Sequence, residues 1–480
     1  MAGEVRIARL RLHAGAGPGR RDGYAAARAL DLDLGAADHS VLVLRRLSVP
    51  ATDRAAARDR VRTLRAGARR PARERVEPGC QAVLFADEAE ALACLSADLV
   101  SGRASGQWYW PAAVRAAPAP AALARLWLGE ARWVPAALER LARSSPAEAV
   151  AAVQLLPESQ AQAVLEAVLE AFDVPARHGW PSRVAADPGP DPDRAPAGTG
   201  DNGPAGPRPT ASRLLEAAER IALGSSLRPS GRTLLAVGLT LAADPAAAHR
   251  PALGPELGDL LATTASGTAT EGRSRPAGDI NVQKPFPETT NEAGPAAADP
   301  RDSRGDRPGP LRPASERRDR EEDSPVSTRF ASVLYAVTLM TWVGLPRTAP
   351  EDAPEGESGW ATVEALGRWL LRPRSASERN DPVWGVLAGL DGRPDGEPTR
   401  VRLGGHTRRA ELLLGRHGIS PAVFARPGLV IASRTHVDVV LGLDQIDLSA
   451  RASGLDQNPG WVPVLGRIVS FHFDGGSHHG

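Results

Sequence analysis

The sequence predicts a multi-domain α+β chain: a mixed N-terminal domain, a central helical bundle, a long disordered linker, and C-terminal helices packed on an antiparallel sheet. Three observations predict it. Period-2 alternation sits at the two ends of the chain, helical spacing dominates after Trp108, and Gly and Pro gather in two long runs between the patterned stretches. A chain of 480 residues has room for two to four domains. The boundaries read as a small mixed domain over 1–104, a helical bundle over 105–175, a linker over 176–210, a helical segment over 211–246, a disordered linker over 247–325, and an α+β domain over 326–476.

In the first domain, VRIARLRL from Val5 and DHSVLVLRRLSVP from Asp38 read as strands, the second ended by Pro50. Between them RRDGYAAARALDLDL reads as a short helix carrying Tyr24, Ala27 and Leu30. ATDRAAARDRVRTLRAGARR reads as a polar helix laced with exposed Arg–Asp pairs. QAVLFADEAEALACLSADLVSG predicts a short strand and then a helix over Glu88–Leu99. In the bundle, Leu123, Leu126, Trp127, Leu138 and Leu141 recur at helical spacing, with Pro135 opening a new helix. Ser145-Pro146 and Pro157-Glu158 mark two further helix starts, and Leu165, Val168, Leu169 and Phe172 form one apolar stripe.

The two Gly/Pro-rich runs lack any helix or strand period and have almost no aromatic residues, the signature of linkers. Pattern resumes at Phe330. FASVLYAVTLMTWVGLP is short for a membrane span and reads as a buried helix. WATVEALGRWLLRP places Val363, Leu366, Trp369 and Leu370 on one face. Strands follow, with Val437, Val439 and Leu441 alternating against His436, Asp438 and Val440 and a shift of parity near Asp444 and Gln445. The last strand alternates Arg467, Val469, Phe471 and Phe473 with Ile468, Ser470, His472 and Asp474. Pro463 and Gly466 turn the chain into it, and Trp461 covers the sheet end.

Basic and acidic residues, 58 against 57, leave a net charge of +1, and no long basic block stands out, which argues against a nucleic-acid partner. Lys284 is the only lysine, so the arginine content reads as coding bias. Cys80 and Cys94 are too few for a disulfide framework or a cysteine zinc site, and read as reduced thiols. MAGEVRIARLRL lacks the apolar core of a signal peptide. The expectation is a cytoplasmic chain without a membrane span.

The strongest chemical pattern is a repeated His-x-Asp, His436-Val-Asp438 and His472-Phe-Asp474. Period 2 puts each imidazole and carboxylate on one strand face, so strands paired at matching register would bring four metal ligands together. That is the basis of an alternative reading as a metal-dependent hydrolase or oxygenase. The same alternation also describes polar groups along a solvent face, as does His39 at a strand start. GAGPGR, from Gly15 to Arg20, fits neither GxGxxG nor a Walker motif, and there is no GxSxG. The leading expectation is therefore a non-enzymatic protein with no catalytic residue, no cofactor and no metal. Trp108, Tyr109 and Trp110 are consecutive, and three adjacent aromatics in a strand or helix cannot share one core. At least one is expected to meet another domain of this chain first, then a partner, then a stacked ligand; with Trp461 they form the expected interaction residues, since Trp and Tyr carry a large apolar body and one polar handle.

Three C-terminal stretches, TRFASVLYAVTLMTWVGLP, SRTHVDVVLGLDQIDLSARASGLD and NPGWVPVLGRIVSFHF, resemble an uncharacterised bacterial family associated with contractile injection systems, the phage-tail-like particles. The N-terminal VRIARLRLHAG…DHSVLVLRRLSV is similar to the start of tape-measure or assembly components of those systems. The resemblance covers roughly residues 1–50 and 326–474. It implies a structural or assembly role with tube, sheath, baseplate or ATPase subunits as partners. The chain lacks the coiled coil that would span a tail tube, so the implied role is accessory.

Overall fold

The computed structural model describes residues 39–47, 54–174, 227–249, 325–345, 359–372, 375–394 and 397–474. The strand expected at Val5, the helix around Tyr24, the Gly15–Arg20 turn and most of both expected linkers lie outside these residues.

Branched and apolar residues make a short antiparallel pair of β1 (Val41–Leu44) and β2 (Ala82–Phe85), in register from Val41 opposite Phe85 to Leu44 opposite Ala82. Helix α1 (Arg54–Ala66) lies between them in sequence and buries Val61. Two strands bury too little to stand alone. Val83 and Phe85 therefore share one core with α2 (Glu88–Val100), α3 (Ala112–Ala116), α4 (Ala119–Gly129), α5 (Val134–Ser144), α6 (Pro146–Leu155) and α7 (Glu158–Ala171). Asp87 starts α2 by accepting from the Glu90 amide at 2.7 Å. Ser145 and Pro146 start α6 as expected in position, although the Ser145 hydroxyl makes no cap bond.

The same core takes in α8 (Pro229–Ala243), which is buried along most of its length. Gly238 allows its approach to α5: a Cβ there would lie 2.6 Å from Leu138 Cδ1. A 3₁₀ turn, Pro245–His249, follows α8.

A second core gathers α9 (Ala336–Val343), entered through a 3₁₀ turn at Ala331–Tyr335 and ended by Gly344 in the left-handed region, with α10 (Gly359–Leu371), α12 (Pro382–Leu390) and α13 (His406–Arg416). The short α11 (Ala376–Arg379) precedes α12 and carries a capping box from Ser375 and Glu378. Buried Glu364 on α10 is held by Arg368 at 2.6 Å and by Arg393. Asp381 accepts from the Arg329 amide at 3.1 Å and from Thr328, tying α12 to β3 (Val326–Thr328).

These helices cover one face of a five-stranded sheet ordered β3-β4-β5-β7-β6, with β4 at Gly428–Ala432, β5 at His436–Gly442, β6 at Gly460–Val462 and β7 at Arg467–Asp474. Three pairings are antiparallel, but β5 and β7 run parallel, so the sheet is mixed where the sequence suggested antiparallel. The reason is the connection. The parity shift at Asp444 is a 3₁₀ turn, and Leu448–Ser453 then forms helix α14 rather than continuing a strand. That helix and β6 return the chain to the starting end of β5, as a parallel neighbour requires. Among the described residues no helix is long and apolar enough to cross a membrane.

Candidate functional site

The two faces of β5 and β7 meet different cores. Val437, Val439, Leu441, Val469 and Phe471 point into the second core, while Ile468 belongs to the first. The alternate residues His436, Asp438, Ser470 and His472 are buried on that opposite side. This face, whose alternation also fits a solvent side, is a seam between two cores, with Asp438 at 0% exposure.

Parallel pairing sets what meets there. His436 lies opposite Ile468, Asp438 opposite Ser470, and Val440 opposite His472. The second His-x-Asp repeat is therefore displaced by four residues, about 13 Å at the usual strand rise. The four expected metal ligands do not converge. Asp474 sits opposite Gly442 at the exposed end of β7. His472 alone reaches across, donating from Nε2 to Asp438 Oδ1 at 2.8 Å.

The other Asp438 oxygen, Oδ2, is engaged by His39 Nε2. His39 comes from the residue pair before β1, and its side chain is 16% exposed, against the expectation of a surface position. Its ring also stacks on His436, with centroids 3.5 Å apart and planes 7° apart. His436 Nδ1 lies 2.8 Å from the Thr435 hydroxyl, and Trp133 tilts against its ring at 5.7 Å. No local signal in the sequence marks His39 as a partner of a strand some 400 positions away; only the fold joins them.

Burial raises the pKa of Asp438, but the hydrogen bonds from His39 and His472 outweigh it and hold the carboxyl below its ordinary range. His436 moves the other way. Burial, then the neighbouring His39, lower it to about 3, so its ring is neutral at neutral pH. The arrangement is a buried carboxylate with both oxygens satisfied by imidazoles from two parts of the chain. Among the described residues no group of three or more His, Cys, Asp and Glu is placed to hold a metal ion.

Other contacts extend the seam. Trp461 on β6 packs edge-on against Trp133 at 5.2 Å and Phe172 at 5.3 Å, and its indole N–H donates to the Ala171 carbonyl at 2.8 Å. Arg434, just before β5, pairs with Glu139 of α5. Gly466, at φ +61, turns β6 into β7, and a Cβ there would meet Pro245 Cγ at 2.5 Å. The expected role of Pro463 and Gly466 in the turn holds, but Trp461 caps the neighbouring helical core rather than a free sheet end.

Trp108, Tyr109 and Trp110 pack within the first core, although no strand or helix could place all three there. They lie in a turn, whose irregular backbone releases them from period 2. Trp110 stacks on Phe85 at 5.4 Å and donates to Asp98 at 2.9 Å, Tyr109 lies 4.7 Å from Trp110, and Arg45 covers half-buried Trp108 at 5.8 Å. Cys80 and Cys94 are free thiols, the latter pushed up by burial and by Glu90 and Asp98.

No protein-family model, no curated protein and no solved structure matches the chain.

Proposed function

We propose that the chain is a non-enzymatic assembly or accessory subunit of a contractile injection particle, made in the cytoplasm and docking tube, sheath, baseplate or ATPase subunits. The observation that carries this reading is the use made of Asp438. The residue types best suited to catalysis are spent on one another, with His39, His472 and Asp438 closing a buried seam between two cores. Such a seam sets the relative placement of two surfaces, which is what a docking subunit needs. The C-terminal stretches that resemble the injection-system family, HVDVV and GWVPVLGRIVSFHF among them, are the segments that build it. Leu443 and Leu448, which follow β5 and are 53% and 81% exposed, offer partners an apolar contact.

The test is affinity purification of the full chain from its native host, followed by mass spectrometry. Recovery of sheath, tube, baseplate or ATPase subunits, reduced by Leu443→Ser with Leu448→Ser, is the expected result. Recovery of the chain without any of them, from cells that are assembling particles, overturns the reading.

A further inference from the structure

The near-zero net charge is an average that hides a local excess. Residues 54–75, RAAARDRVRTLRAGARRPARER, contain nine arginines against Asp59 and Glu74. The acids are consumed locally: Asp59 pairs with Arg62 at 2.7 Å and Glu74 with Arg69 at 3.1 Å. Arg60, Arg73 and Arg75 are exposed and Arg70 is half-buried. Arg65 reaches the Ser40 hydroxyl at 3.2 Å, and it is held below the ordinary arginine range by burial and by the charge of Arg70 beside it. Arg65 on the helix and Arg70 in the loop after it therefore feel one another's charge, with Arg60, Arg73 and Arg75 exposed on the same stretch of chain.

We infer that this face, formed by the end of α1 and the loop through Arg75, binds the phosphate backbone of double-stranded nucleic acid without regard to sequence. Three features select that occupant. Guanidinium groups match phosphate oxygens as forked donors. The segment exposes no large apolar side chain, since Val61 is buried and Leu64 half-buried, so it lacks the apolar centre that a protein interface carries. It contains no aromatic residue on which single-stranded bases would stack. The inference does not depend on the assembly role, and it runs against the expectation drawn from net charge, which the experiment below decides.

The experiment is fluorescence anisotropy of the full chain with a random-sequence DNA duplex, titrated between about 50 and 200 mM salt. Four phosphate contacts predict a log–log salt slope of about −4 and a loss of affinity of about 10²-fold across that range. Arg60→Gln, Arg70→Gln, Arg73→Gln and Arg75→Gln together should flatten the slope and weaken binding at least about tenfold at low salt. The same number of charges removed from Arg402, Arg408, Arg409 and Arg416, exposed around α13, should leave both unchanged. Absence of binding at low salt, a slope that survives the first variant, or loss of binding in the second overturns the proposal. Tighter binding of labelled polyglutamate than of the duplex also overturns it, and assigns the face to an acidic protein.

Discussion

His436-Val-Asp438 and His472-Phe-Asp474 are the same short pattern on neighbouring parallel strands, yet they do different work. Asp438 lies mid-strand in β5, flanked by β4 and β7 and covered by the first core, where its carboxylate needs two donors and has them. Asp474, the last residue of β7, is exposed. His472 serves the other repeat's aspartate, and His436 stacks on a ring from before β1. Identical residues at identical spacing carry no fixed role. Position along the strand, register and what covers the sheet assign it.

The comparison is broken most directly at the two aspartates. Asp438→Ala leaves two imidazoles facing an empty, buried position and should cost about 3 kcal/mol or more. Asp474→Ala should change stability by less than about 1 kcal/mol. Denaturant midpoints of the two variants at unchanged slope measure the contrast, and equal losses would remove it.

A smaller, pH-dependent effect comes from His436. Its ring stays neutral down to about 3 in the fold, whereas the free imidazole takes its proton near 6.5. Between those values the unfolded chain binds the proton and the folded chain does not, so stability falls as pH drops through that window. The slope from this group is at most about 1.4 kcal/mol per pH unit. His436→Gln should lose that part of the slope between pH 6.5 and 3; a variant with the wild-type slope would show that the ring titrates normally. Asp438, held below the ordinary carboxylate range, adds loss in the same direction at lower pH still.

The smallest expected effect sharpens the division of labour along the seam. Trp461→Phe keeps an aromatic ring near Trp133 and Phe172 but removes the N–H donated to Ala171. It should cost about 1 kcal/mol in thermal or chemical unfolding. A loss as large as that of Asp438→Ala would place the main fastening in the aromatic corner instead of the histidine–aspartate cluster.

Local pattern determined a good deal of this protein. Alternation marked β5 and β7, proline and apolar spacing marked the bundle helices, and Pro463 with Gly466 marked the turn into the last strand, because each depends on neighbours within a few residues. Tertiary structure decided the rest. The stagger of β5 against β7 separated the two aspartates, and the turn at Trp108–Trp110 let three adjacent rings enter one core. The packing of the first core on the sheet brought His39 to Asp438 and Trp461 to Ala171. Register and the covering of a face are set by contacts between segments far apart in the chain, and period-2 spelling is the same whether a strand face meets water or a second core.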